Sequence, residues 1–68
     1  MSGFQATLRE QVDDAQERMA SAVLEDNTSQ IHAHGARLMD LLDRASSHGI
    51  DTKGWVDNSV LRLAREVV

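Results

Sequence analysis

From Phe4 onward, apolar residues return every three or four positions. Phe4, Leu8, Val12, Ala15, Met19, Ala22 and Val23 fall within about 100° of one helix face. Arg9, Glu10, Asp13, Asp14, Glu17 and Arg18 take the other faces. Asp14 and Arg18 stand four apart in the favourable acid-then-base order. Ser2, with Gln5 three residues later, has the spacing of a capping box. The pattern predicts a first helix over about residues 3–24.

Glu25-Asp26-Asn27-Thr28-Ser29 breaks the rhythm, because continuing it would put Asp26 and Ser29 on the apolar seam. A new stripe then starts in another phase: Ile31, His34, Gly35, Leu38, Leu41, Leu42 and Ala45, with Met39 at its edge. This predicts a turn with a fresh N-cap at Asn27 or Thr28 and a second helix over about 28–48. Asp40 and Arg44 form an outward i,i+4 pair. No glycine or proline interrupts 24–30, so a single helix through 4–48 is the competing reading.

His48-Gly49-Ile50-Asp51 ends the second helix. Gly49 suits the left-handed position after a helix, and Ile50 supplies the apolar contact back to its last turn. Asp51 is expected to cap a third helix over about 52–67, with Ile50 and Trp55 at hydrophobic-staple spacing. On that helix Val56, Val60, Leu63 and Val67 make the main face, and Ala64, Leu61 and Val68 widen it to roughly 160°. One face of a small bundle needs less than this.

The expected fold is therefore all-α: an antiparallel helical hairpin with a C-terminal helix folded across it, one domain over 1–68. A chain of 68 residues with 41% apolar content has a small core, since at this size only about 60% of the unfolded surface is buried on folding. Completion of the core by homodimerisation is the expectation, with Leu61 on the dimer side of the helix because it lies about 160° round from Leu63.

Charge narrows the partners. The net charge is −4, and acids interleave the seven basic residues, which disfavours nucleic acid. Six of those seven are arginine and alanine is abundant, the codon signature of a GC-rich bacterial or phage genome. The chain has no cysteine, hence no disulfide framework. It has no apolar run near 18 residues, and its start lacks a signal-peptide pattern. The expected location is the cytoplasm, with no membrane contact.

Catalytic parts are not assembled by the sequence. His32 and His34 project about 200° apart on a helix, and no histidine has a His, Asp or Glu four residues away, so no metal site is expected. Ser47 adjoins His48, but neighbours on a helix do not aim a base at a hydroxyl. There is no phosphate loop and no dinucleotide fingerprint. No enzyme, catalytic residue or cofactor is expected. His34, on the apolar stripe, reads as a packed or interfacial histidine.

Ala45, Gly49, Ile50 and Trp55 resemble part of the helix-turn-helix pattern. The resemblance covers about a sixth of the chain. It implies a DNA-binding regulator using residues 45–58, with the second helix entering the major groove. Asn58 stands where another buried apolar residue belongs, and Asp51 and Asp57 are acids on the entering face. The reading that fits better is a small acidic interaction module, an adaptor, inhibitor or regulatory subunit. Its contacts are expected at Val12, Met19, His34, Trp55, Leu61 and Val68, with Trp55 as the large anchor.

Overall fold

Helix α1 spans Gly3–Leu24, α2 Thr28–Ser47 and α3 Asn58–Val67, in a computed structural model that describes residues 3–67. Among the described residues there is no strand. The expected Ser2 cap lies outside them.

Helix α1 ends on a backbone motif that the sequence only hinted at. Asn27 N–H donates to Ala22 O at 3.0 Å and Asp26 N–H to Val23 O at 3.1 Å. This is the 6→1 and 5→2 pairing of a Schellman turn. Asp26 takes its left-handed position, φ 54°. Asn27 then turns extended, and its side chain accepts from Gln30 N–H at 3.2 Å. One residue closes α1 and caps α2, so the single helix through 4–48 does not form.

Three linking residues force α1 and α2 antiparallel. The rings of Phe4, at the start of α1, and His48, just past the end of α2, lie 4.7 Å apart. Between these ends Leu8, Val12, Ala15 and Met19 pack with Leu38, Leu41 and Ala45, each 2% exposed or less. The stripe of α2 is buried as its spacing predicts: Gly35, Leu38, Leu41 and Ala45 are buried, and Ile31, His34, Met39 and Leu42 are half-buried beside them. The stripe of α1 departs at both ends. Phe4 is 50% exposed and Val23 45%. Phe4 lies level with the very end of α2, and Val23 faces a flank that α3 only partly covers.

The end of α2 follows expectation. Ile50 N–H donates to Ala45 O at 2.9 Å and Gly49 N–H to Ser46 O at 3.0 Å, with Gly49 at φ 70°. Ile50 packs against the core.

The third helix is shorter than predicted, starting at Asn58 and not near 52. Asp51 caps no helix. Its side chain accepts from Lys53 N–H at 3.0 Å, closing a local turn of the kind aspartate favours. Gly54 follows at φ 84°, outside helical space. Trp55 enters the core from this loop at 8% exposure, with the Arg9 guanidinium 5.5 Å from its ring centroid. The staple between Ile50 and Trp55 therefore does not form across a helix start. The cap is Asp57, whose side chain accepts from Ser59 N–H at 3.3 Å while its carbonyl accepts the first helical bond from Leu61 at 2.9 Å. Asp57 N–H donates in turn to Gln16 Oε1 at 2.7 Å, tying α3 to the middle of α1.

From that anchor α3 runs parallel to α1 and crosses α2 at Gly35. A Cβ on Gly35 would stand 2.8 Å from Val67 Cγ2 and 3.7 Å from Ala64 Cα. Glycine opposite alanine is what lets α2 and α3 approach here. Ala64 is the fully buried residue of α3, and Val60, Leu61, Leu63 and Val67 are half-buried. The molecule measures 39 × 18 × 17 Å.

Candidate functional site

The six expected contact residues separate by place. Val12 and Met19 have no exposed surface, and Trp55 is buried with them. An interface through these three would require the helices to part. His34 is half-buried on the other side of the hairpin, lining an open polar basin with Asp14, Glu17, Arg18, Glu25 and Gln30. Leu61 is half-buried and stands on the flank of α3 away from α1. Val68 lies outside the described residues.

The apolar surface left uncovered gathers where α3 meets α1. Ala20, Val23 and Leu24 of α1 face Ser59, Val60 and Leu63 of α3 across an open groove of about 390 Å³. Its walls are almost wholly apolar, Ser59 excepted. The cause is local. Gln16 bonds the head of α3 and Ala64 docks on Gly35, so α3 leans on α2. Toward the last two turns of α1 an open groove separates the two helices. Leu24 stands at the rim, 88% exposed. Five residues after Met19, it projects about 140° away from that core side chain. The sequence reading passed over Leu24, although an apolar residue off its helix stripe and next to another apolar residue was the available signal.

Ser47 and His48 lie at the other end of the hairpin from this groove, His48 beside Phe4. Among the described residues, no cluster of three or more His, Cys, Asp or Glu side chains is placed to hold a metal ion. Ser47 Oγ donates to Asp43 O at 3.1 Å. His48 Nδ1 lies 2.9 Å from Arg44 O, so each is engaged with its own helix. The polar basin on the far side of α1 is open, with the Arg18–Asp14 pair (2.8 Å) on its wall. Both of those side chains are more than half exposed, so the pair adds only about 0.3–0.5 kcal/mol.

Residues 45–58 do not fold as a helix-turn-helix. Ten residues, 48–57, separate α2 from α3, where that motif uses about three or four. The segment that would enter a major groove is the loop holding Trp55 in the core. No described helix is long and apolar enough to cross a membrane. The chain matches no protein-family model, no curated protein and no solved structure.

Proposed function

We propose that this chain is a small acidic interaction module, an adaptor, inhibitor or regulatory subunit that acts by binding and not by catalysis. The observation that carries the reading is the apolar groove between α1 and α3, with Leu24 88% exposed at its edge. A folded chain of 7.5 kDa has an accessible surface of about 4,200 Å², and this one exposes 4700 Å². The groove's lining is contiguous across two helices and apolar, Ser59 excepted, and this supports a contact surface. Self-association belongs to the same reading: α3 buries one flank against the hairpin and leaves Leu61 half-exposed on the other.

The test uses the full chain, tagged, on extract of its own cells. A retained protein is then purified and recombined with the chain. A stoichiometric complex from the two pure components is the expected result. In parallel the chain is titrated into labelled duplex DNA over a range of salt. Binding to duplex with a steep salt slope, and no reconstituted protein complex, would overturn the reading in favour of a DNA-binding regulator.

A further inference from the structure

We propose that two copies of this chain pair through the outer flank of α2 and α3, across a two-fold axis at Leu61 and Met39, with Arg65 of each copy beside Asp43 of the other. This rests on the self-association reading above and names its face, its register and its ion pairs.

The apolar centre follows from the crossing of the two helices. Gly35 of α2 meets Ala64 of α3. On α2, Leu38 lies about 60° from Gly35 toward α1, and Met39 about 40° to the other side. On α3, Leu63 lies about 100° from Ala64 toward the groove with α1, and Leu61 about 60° to the other side. Helix α2 is antiparallel to α1 and α3 parallel to it, so α2 and α3 run in opposite directions. Four residues on from Gly35 and three back from Ala64 therefore lead to the same level, on the flank away from α1. Met39 and Leu61 stand there, both half-buried, each with part of an apolar side chain turned outward.

Charge specifies what covers them. Arg65 lies one turn after Leu61 and Asp43 one turn after Met39, and both are exposed. The ion pairs among the described residues are Arg18–Asp14 and Arg44–Asp40, so neither has an oppositely charged partner there. Because the helices are antiparallel, Arg65 and Asp43 lie on opposite sides of the Leu61–Met39 level, each about 6 Å along its helix. Within one chain that separation keeps them apart. A two-fold axis perpendicular to the helices inverts one copy against the other and sets each Arg65 at the level of the other copy's Asp43, twice over. Arg62 and Asp40, one residue past Leu61 and Met39, come opposite each other by the same operation, although Asp40 is already bonded to Arg44. An axis along the helices would leave Arg65 and Asp43 about 12 Å apart. The net charge of −4 on each chain repels two copies at long range. On this flank Arg62 and Arg65 balance Asp40 and Asp43, bases toward one end and acids toward the other. A strip so ordered is complementary to itself inverted, which makes a second copy its fitting partner.

The test is sedimentation equilibrium of the full-length protein at physiological salt. The wild type is expected to dimerise at micromolar concentration. Arg65→Glu and Asp43→Arg, both at exposed positions, are expected to keep the helical circular dichroism. Each should weaken self-association about tenfold or more, because each sets like charges against one another at two places. An equimolar mixture of the two variants is expected to form a 1:1 dimer at wild-type strength, since both contacts between unlike chains then join opposite charges. A loss of stability within the chain predicts no such rescue. Undiminished dimerisation of either variant, or no dimer in the mixture, would overturn the arrangement. If Leu61→Glu still dissociates the wild-type dimer in that case, self-association stands in another register. A wild-type monomer at about 100 μM would overturn this proposal and self-association together, and would leave the groove between α1 and α3 untouched.

Discussion

Asp26 and Gly49 hold the same left-handed backbone, φ 54° and φ 70°, at the C-termini of α1 and α2. Both close Schellman turns, with the same pair of backbone bonds around each. Aspartate bears the Cβ penalty that glycine escapes, about 1–2 kcal/mol, set against roughly 0.5–1 kcal/mol for glycine's extra freedom in the unfolded chain. Asp26→Gly is therefore expected to stabilise by about 0.5–1 kcal/mol, raising Tm by a few degrees. Gly49→Val should destabilise by about 1–2 kcal/mol or more. Space is not the cause, since nothing lies within 4 Å of a Cβ there. Thermal melts of the two variants moving in the same direction would refute the shared motif.

Gly35 sets how closely α3 can sit. A side chain there meets Val67 at 2.8 Å, Met19 Cε at 3.4 Å and the Ala64 backbone. Gly35→Leu is expected to lift α3 while leaving the hairpin, whose contacts lie mostly elsewhere on α2. The cost is about 1–3 kcal/mol, typical of overpacking. Amide hydrogen exchange should show lost protection over 58–67 with retained protection in the middle of α1. Equal protection of both segments in the variant would show that this crossing does not hold α3.

Asp57 joins two jobs at the head of α3, capping it through Ser59 N–H and bonding Gln16 through its own N–H. Asp57→Ala removes the side-chain acceptor and leaves the backbone bond to Gln16. Loss of about 1 kcal/mol is expected for the cap. Gln16→Ala removes the other contact and should cost about 0.5–1.5 kcal/mol. The bonds share a residue, so the double variant measures their coupling. Urea melts with no loss in either single variant would place the start of α3 elsewhere.

The hairpin was legible in the sequence because its signals agree. A 3.6-residue stripe, a phase break at 25–29 and Asn27 as cap all lead to the same corner. Gly49-Ile50 was legible for a similar reason, since one turn type needs both residues in that order. Helix α3 was misread at its start. The sequence Gly49-Ile50-Asp51 satisfies the beginning of a helix locally, and the apolar spacing through Trp55 and Val56 continues backward from α3. Against this stood Gly54 and a second cap sequence, Asp57-Asn58-Ser59. Tertiary packing decides between them: the indole fills the core from a loop. The groove was not legible, because its walls come from two helices far apart in sequence. The seat of α3 also involves Gly35 meeting Ala64, a contact that no periodicity within one helix encodes.

Leu61 and Leu63 lie about 160° apart round α3, and both are half-buried. Leu63 packs against the core and lines the groove, so the proposed contact between copies belongs to Leu61. A dimer at micromolar concentration is expected, with a Tm that rises with protein concentration. Leu61→Glu should dissociate it and keep the helical circular dichroism at low temperature, whereas Leu24→Asp should leave it intact. Sedimentation equilibrium on the three proteins separates these outcomes. A wild-type monomer at about 100 μM, equivalent to an association weaker than roughly −5.5 kcal/mol, would remove self-association from the reading. Leu61 would then be surface available to another protein, and the groove would stand as the sole binding face proposed.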